Sequence, residues 1–182
     1  VHLRSTRRAV RRYANVRCVE ADLSGVAVGL LLGAANGADQ LPRPISPTVE
    51  PPEDIDLVVS ANVLTQLPVT PLQYLDRHLS LPADDLDLYA RAIMQAHLEQ
   101  LDAVCCLLAE MEIAHLAPDG AVLETIDPLR GLTLPPTHDS WHRTVAPRGE
   151  VSRAYAIRNH VAAAISMPQC SDSAAKRRGA SP

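Results

Sequence analysis

Two almost unbroken apolar stretches limit what this chain can fold into. They are Ile55–Ser60 (Ile-Asp-Leu-Val-Val-Ser) and Val104–Ala109 (Val-Cys-Cys-Leu-Leu-Ala). Neither alternates polar with apolar, so each suits a strand buried on both faces of a parallel sheet. The sequence between them is helical. Pro71 opens a helix to about Ser80, and Pro82 and Asp84 start a longer one to about Leu101. Leu86, Ala90, Met94, Leu98 and Leu101 recur at helical spacing, with Tyr89 and Ile93 beside them. Strand, helices and strand in that order predict a crossover connection between parallel strands, hence an α/β domain.

The flanking segments extend this pattern. Ser5 can cap a helix over Arg7–Tyr13, and Val16–Glu20 reads as a short β-branched strand. Val26–Ala35 reads as a second helix. Residues 37–54 hold Pro42, Pro44, Pro47, Pro51 and Pro52, and read as an extended surface loop. Pro118-Asp119-Gly120 marks a turn before a strand at Ala121–Ile126. Ser140–Ala146 and Ser152–Ile165 read as a terminal antiparallel pair around Pro147-Arg148-Gly149. One domain is expected over residues 1–166, with a disordered tail over 167–182.

Composition removes several functions. The chain has 182 residues, no Phe and 3% aromatic residues, so its core must be aliphatic. That argues against single-stranded nucleic-acid binding, which needs stacking platforms. Charge is segregated: six Arg and no acid in residues 1–17, 18 acids against three Arg in 18–129, and eight basic residues against three acids in 130–182. The basic arm is expected to be the solvated face of a helix, because the acidic body would repel a phosphate backbone. No apolar run reaches the ~20 residues of a membrane span; the most apolar, Leu23 to Ala35, is too short. Cys18, Cys105, Cys106 and Cys170 form no C-x-x-C, which suggests reduced, buried thiols and a cytoplasmic location.

The most specific segment runs Asp56-Leu57-Val58-Val59-Ser60-Ala61-Asn62-Val63-Leu64-Thr65-Gln66-Leu67-Pro68. Ligands bind at the carboxyl ends of strands in open α/β sheets. Ser60, Ala61 and Asn62 stand at such an end, where small side chains leave room and an amide can donate and accept hydrogen bonds. This segment resembles the fourth-strand motif of class I S-adenosylmethionine-dependent methyltransferases, with Asp56, Val58, Ser60, Val63, Leu64 and Leu67 fitting the pattern. Val19-Glu20-Ala21-Asp22-Leu23 is similar to that family's third strand, whose terminal acid lies near the cofactor adenine. The resemblance implies a Rossmann-like, mainly parallel sheet with an antiparallel C-terminal edge. It also implies S-adenosylmethionine as cofactor, held by Asp22, Leu23, Ser60, Ala61 and Asn62. The Gly-rich loop and the ribose-binding acid of the family have no counterpart. The chain is therefore expected to begin after them, N-terminally incomplete, and as this truncated form to be inactive. The methyl acceptor, a small molecule or a protein, is not specified, and no catalytic residue is identified.

The alternative is a non-catalytic α/β module that binds a partner or dimerises through its charge-segregated surfaces. Metal chemistry is weakly supported. His138 and His142 have a zinc-protease spacing, but the surrounding sequence reads as a strand, which would set them ~13 Å apart. Glu112-Ile113-Ala114-His115 offers one Glu-x-x-His where a di-iron site needs two. No Gly-x-Ser-x-Gly elbow is present.

Overall fold

A computed structural model describes residues 8–10, 12–36, 41–45, 55–79, 81–101 and 104–166. Its elements are α1 (Ala27–Asn36), β1 (Val58–Ala61), a 3₁₀ turn (Leu64–Gln66), α2 (Val69–His78), α3 (Ala83–Leu98), β2 (Cys105–Leu116), β3 (Val122–Ile126), β4 (Asp139–Ala146) and β5 (Ala156–Ser166). Residues 8–10 are helical, within the predicted N-terminal helix. The predicted tail at 167–182 and most of the Pro-rich loop lie outside the described residues.

The fold is α/β, with one mixed five-stranded sheet in the order β1-β2-β5-β4 and β3 paired to β2. The expected crossover is present. β1 and β2 pair in parallel, Val58 to Cys105 through Ala61 to Leu108, with α2 and α3 between them in the chain. The expectation of a mainly parallel sheet needs correction, because β2–β3, β2–β5 and β4–β5 are all antiparallel. β5 lies between β2 and β4 and runs against both, so β1, β2 and β4 share one direction.

β2 is twice as long as its apolar segment suggests. It continues through Glu110 and Glu112, and the register shifts between them, so Met111 is an extra residue on β2. Such a bulge bends a strand and raises its local twist. The far half of β2 then pairs with β3 on the side that β1 no longer occupies.

Val16–Glu20 is not a strand: these residues are exposed and join no strand ladder among the described residues. β propensity mostly measures packing of the side chain against neighbouring strands, and here Val16 and Val19 stay 44% and 61% exposed.

Strand alternation fixes which side chains face the helices. Cys105, Leu107 and Ala109 of β2 are buried on one face, and Leu107 and Ala109 share a cluster with Leu64, Met94, Leu129 and Ala164. A second cluster joins Val26 and Leu30 of α1 to Leu75 of α2 and to Tyr89 and Ile93 of α3. The opposite sheet face is open at Val59, Ile165 and Trp141, which are 55%, 47% and 39% exposed, but buries Glu110, Val161 and Asn159. Cys105 and Cys106 point to opposite faces, being consecutive in a strand. Among the described cysteines all are free, and Cys18 is exposed rather than buried. No helix among the described residues is long and apolar enough to cross a membrane.

The described part of the Pro-rich loop seals the end of the α1 layer. Ile45 donates its N–H to the Gly25 carbonyl at 3.1 Å, and the Tyr89 hydroxyl donates to the Pro42 carbonyl at 2.8 Å. Burial pushes the Tyr89 pKa up to about 12, so the hydroxyl remains a donor throughout the ordinary pH range. Gly25 has φ +67°, and a Cβ there would lie 1.8 Å from the Ile45 carbonyl oxygen. Both the backbone region and the close approach require glycine. Gly25→Ala is expected to lower unfolding stability by about 2 kcal/mol or more, read from urea denaturation.

Candidate functional site

The carboxyl end of β1 is the natural place for a site, because β1 and β2 run parallel here and the chain leaves the sheet. Ser60 is buried and shares its face with Leu107, the helix side. Its hydroxyl lies 2.9 Å from Nε2 of His97, in the last turn of α3. His97 is itself buried, and its Nδ1 has no hydrogen-bond partner. This pair therefore lacks the third group that would orient a catalytic histidine. Burial holds the His97 ring below its ordinary pKa, which favours the neutral form.

Ala61 points the other way and is exposed. Asn62 follows with φ 54°, in the left-handed region. Asparagine tolerates that region better than other non-glycine residues. The Asn62 N–H donates to the Leu108 carbonyl at 2.8 Å, anchoring the turn to β2. Its side-chain Oδ1 is buried without a partner. A buried acceptor with nothing to accept from costs about 1–3 kcal/mol, so it marks a position where a ligand donor would be welcome.

The 3₁₀ turn is locked in place by Thr65, whose hydroxyl donates to Glu110 Oε2 at 2.8 Å. Thr65 and Glu110 are both buried. Arg143 of β4 reaches the other carboxylate oxygen, Oε1, at 3.4 Å. Glu110 thus joins the turn after β1 to the far edge strand. Asn159 of β5 pairs in register with Arg143 and is only 7% exposed, yet its Oδ1 also lacks a partner. Two unpartnered amide oxygens therefore stand on opposite sides of β2, Asn62 beyond β1 and Asn159 on β5.

Asp22 and Leu23 lie elsewhere in the chain's architecture. They precede α1 in an exposed segment, not at a strand end. Asp22 caps that helix: Oδ1 accepts the Ser24 N–H and Oδ2 accepts the Ala27 N–H, both at 2.9 Å. Partial burial acts to raise its carboxyl pKa, but the Ser24 hydroxyl and the N–H groups of Ala27, Ser24 and Gly25 outweigh it and bring it below the ordinary value. Both oxygens are committed to the backbone, which is the usual work of an N-terminal acid.

The remaining candidates also receive places. Glu112, Ile113, Ala114 and His115 lie in β2 rather than on a helix, so Glu112 and His115 face opposite sides. His115 Nδ1 lies 2.9 Å from Glu124 of β3, and its ring stacks on Tyr155. His138 Nδ1 accepts the Ile165 N–H at 3.1 Å, while His142 stacks on His160 with centroids 4.5 Å apart. Among the described residues no group of three or more His, Cys, Asp or Glu could hold a metal ion. A cavity of about 100 Å³ lies among Leu98, Leu101, Cys105, Leu107, Pro135 and Ala164. It adjoins the start of β2, not the carboxyl end of β1. Burial pushes the Cys105 thiol up, as does neighbouring Cys106, against a partial offset from the Ser60 backbone.

No family model matches the sequence, and no curated protein or solved structure is significantly similar to it.

The sequence singles out Ser60, Ala61 and Asn62, and by itself assigns no role at this strand end to His97, Thr65, Glu110, Arg143 or Asn159. Glu110 carried a signal: an acid directly after five apolar strand residues must be either the strand's end or a buried, partnered charge. Two outcomes follow. Thr65→Val removes a buried donor to Glu110 and is expected to cost about 1–3 kcal/mol in urea unfolding, against under about 1 kcal/mol for the half-exposed Arg143→Ala. His97 resists the proton that the unfolded chain binds, so its contribution to stability is complete above the ordinary value of 6.5 and declines as pH falls below it. Unfolding measured from pH 8 to 5 should show this decline, and His97→Gln should flatten it.

Proposed function

We propose that the chain is a methyltransferase-like α/β domain that binds S-adenosylmethionine at the carboxyl end of β1, with an unspecified acceptor. The observation that carries this reading is Asn62. It follows a buried parallel strand, adopts a left-handed turn anchored to β2, and presents an unpartnered buried amide oxygen. The parallel crossover and the antiparallel partner beyond β2 support the same reading.

The five expected cofactor residues do not fit equally. Asn62 offers a free acceptor, and exposed Ala61 leaves space beside it. Ser60 turns toward His97, and Asp22 spends both oxygens on the α1 cap. Leu23 offers only apolar contact. When bound, the cofactor would supply a methyl group activated on a sulfonium. The residues that hold it on this reading are Ala61 and Asn62.

A second reading, a non-catalytic binding or dimerisation module, is favoured by α1. Val28, Leu31 and Leu32 are all more than half exposed on one side of a helix without a charged residue. Such a face is normally covered.

Calorimetric titration with S-adenosylhomocysteine separates the two readings. The methyltransferase reading expects saturable binding, weakened about tenfold by Asn62→Gly. Glycine accepts the same backbone angle, so the turn is kept and only the amide is removed. Absence of heat at millimolar ligand, with a dimer by light scattering, would leave the second reading.

A further inference from the structure

On the open sheet face, opposite α3, three strands bring together Trp141, Arg143, Asn159 and Glu110. We propose that this cluster is a binding site for a planar heteroaromatic ring that carries an exocyclic amino group beside a ring acceptor. The proposal does not rest on the methyltransferase reading.

The placement follows from register. Trp141 pairs with Val161, which pairs with Glu110; Arg143 pairs with Asn159. Trp141, Arg143, Asn159 and Glu110 therefore share the face, and the Arg143–Glu110 contact at 3.4 Å shows that the guanidinium extends across β5 to reach it. Registered cross-strand neighbours have Cβ atoms about 5 Å apart, and alternate residues along one strand about 7 Å. Arg143 and Asn159 are such neighbours, and Trp141 stands one alternate step along β4 from Arg143, so a fused ring can span these three, while Glu110, two strands from Trp141, holds the guanidinium.

Each group contributes a different kind of recognition. Trp141 is 39% exposed and offers an aromatic face for stacking. Arg143 is 44% exposed and holds fixed N–H donors that Glu110 keeps over the sheet. Asn159 is more than nine-tenths buried, and its Oδ1 accepts no hydrogen bond. A buried acceptor beside an arginine donor is the complement of an amino group beside a ring nitrogen. Adenosine and cytidine carry that edge. Inosine and uridine carry the reverse, an acceptor where the amino group would be.

Trp141 is the only tryptophan in the sequence, so its fluorescence reports on this site alone. The test titrates the full chain with adenosine, cytidine, inosine and uridine, exciting at the red edge of indole absorption. Adenosine or cytidine should quench saturably, about tenfold more tightly than its deaminated counterpart. Asn159→Ala and Arg143→Ala should each weaken the amino-bearing ligand, and Asn159→Ala should also abolish the preference over inosine. Circular dichroism confirms that each variant keeps its sheet, and Arg143→Ala, at an exposed position, guards against a folding failure at Asn159. Equal quenching by all four nucleosides, no saturable quenching, or adenosine binding unchanged in both folded variants would overturn the proposal.

Discussion

Every strand of the sheet depends on β2. It pairs with β1 and then β3 along one side, and with β5 along its whole length on the other. Its first half is apolar and buried, which makes the parallel pairing with β1 favourable where both faces of the ladder can lose water. Its second half is amphipathic and carries a hairpin. The bulge at Met111 separates the two regimes. It also changes which residues face the helices, so Glu110 shares a face with Val161 while Glu112 pairs with His160.

That division explains what the sequence made legible. Ile55–Ser60, Val104–Ala109 and the two helices between them have strong periodic or apolar signals, and each formed close to its expected place. The C-terminal pair also formed, though β5 inserts between β2 and β4 rather than extending the edge. The continuation of β2 was hidden because Glu110 and Glu112 interrupt the apolar run. Glu110 is tolerated inside because Thr65 and Arg143 supply donors, and both lie far away in sequence. A single-sequence reading has no access to such partners. Val16–Glu20 failed for the converse reason: local β propensity needs a neighbouring strand, and among the described residues none pairs with this stretch.

The site at β1 shows a subtler limit. Ser60, Ala61 and Asn62 look equivalent as small or polar residues at a strand end. Alternation divides them. Ser60 faces α3 and is bonded to His97, whereas Ala61 faces the open side and Asn62 turns out of the strand altogether. Asp22 illustrates the same point on the helical side of the molecule. An acid followed by Ser24, Gly25 and a helical run satisfies the start of α1 as well as it would end a strand. The sequence held both possibilities, and the two backbone N–H groups that Asp22 accepts decide for the cap.

What remains exposed then carries functional weight. Helices cover one face of the sheet, and on the other Val59, Cys106 and Ile165 form one row across β1, β2 and β5. The next row, Ala61, Leu108 and Ala163, is apolar as well; the row after it turns polar through Glu110, and beyond that through Asn159 and Arg143. An apolar surface kept in water forfeits roughly 25 cal/mol for each Å² it could bury. A polar group kept dry without a partner costs more again. Both penalties fall on the same side of the same sheet, around β2, and both are relieved by a single kind of event. A packed partner broad enough to span the roughly 20 Å from Ile165 to Asn159 covers the apolar row and offers a donor to the unpartnered amide at once, whereas a planar ligand beside Trp141 relieves only the second penalty.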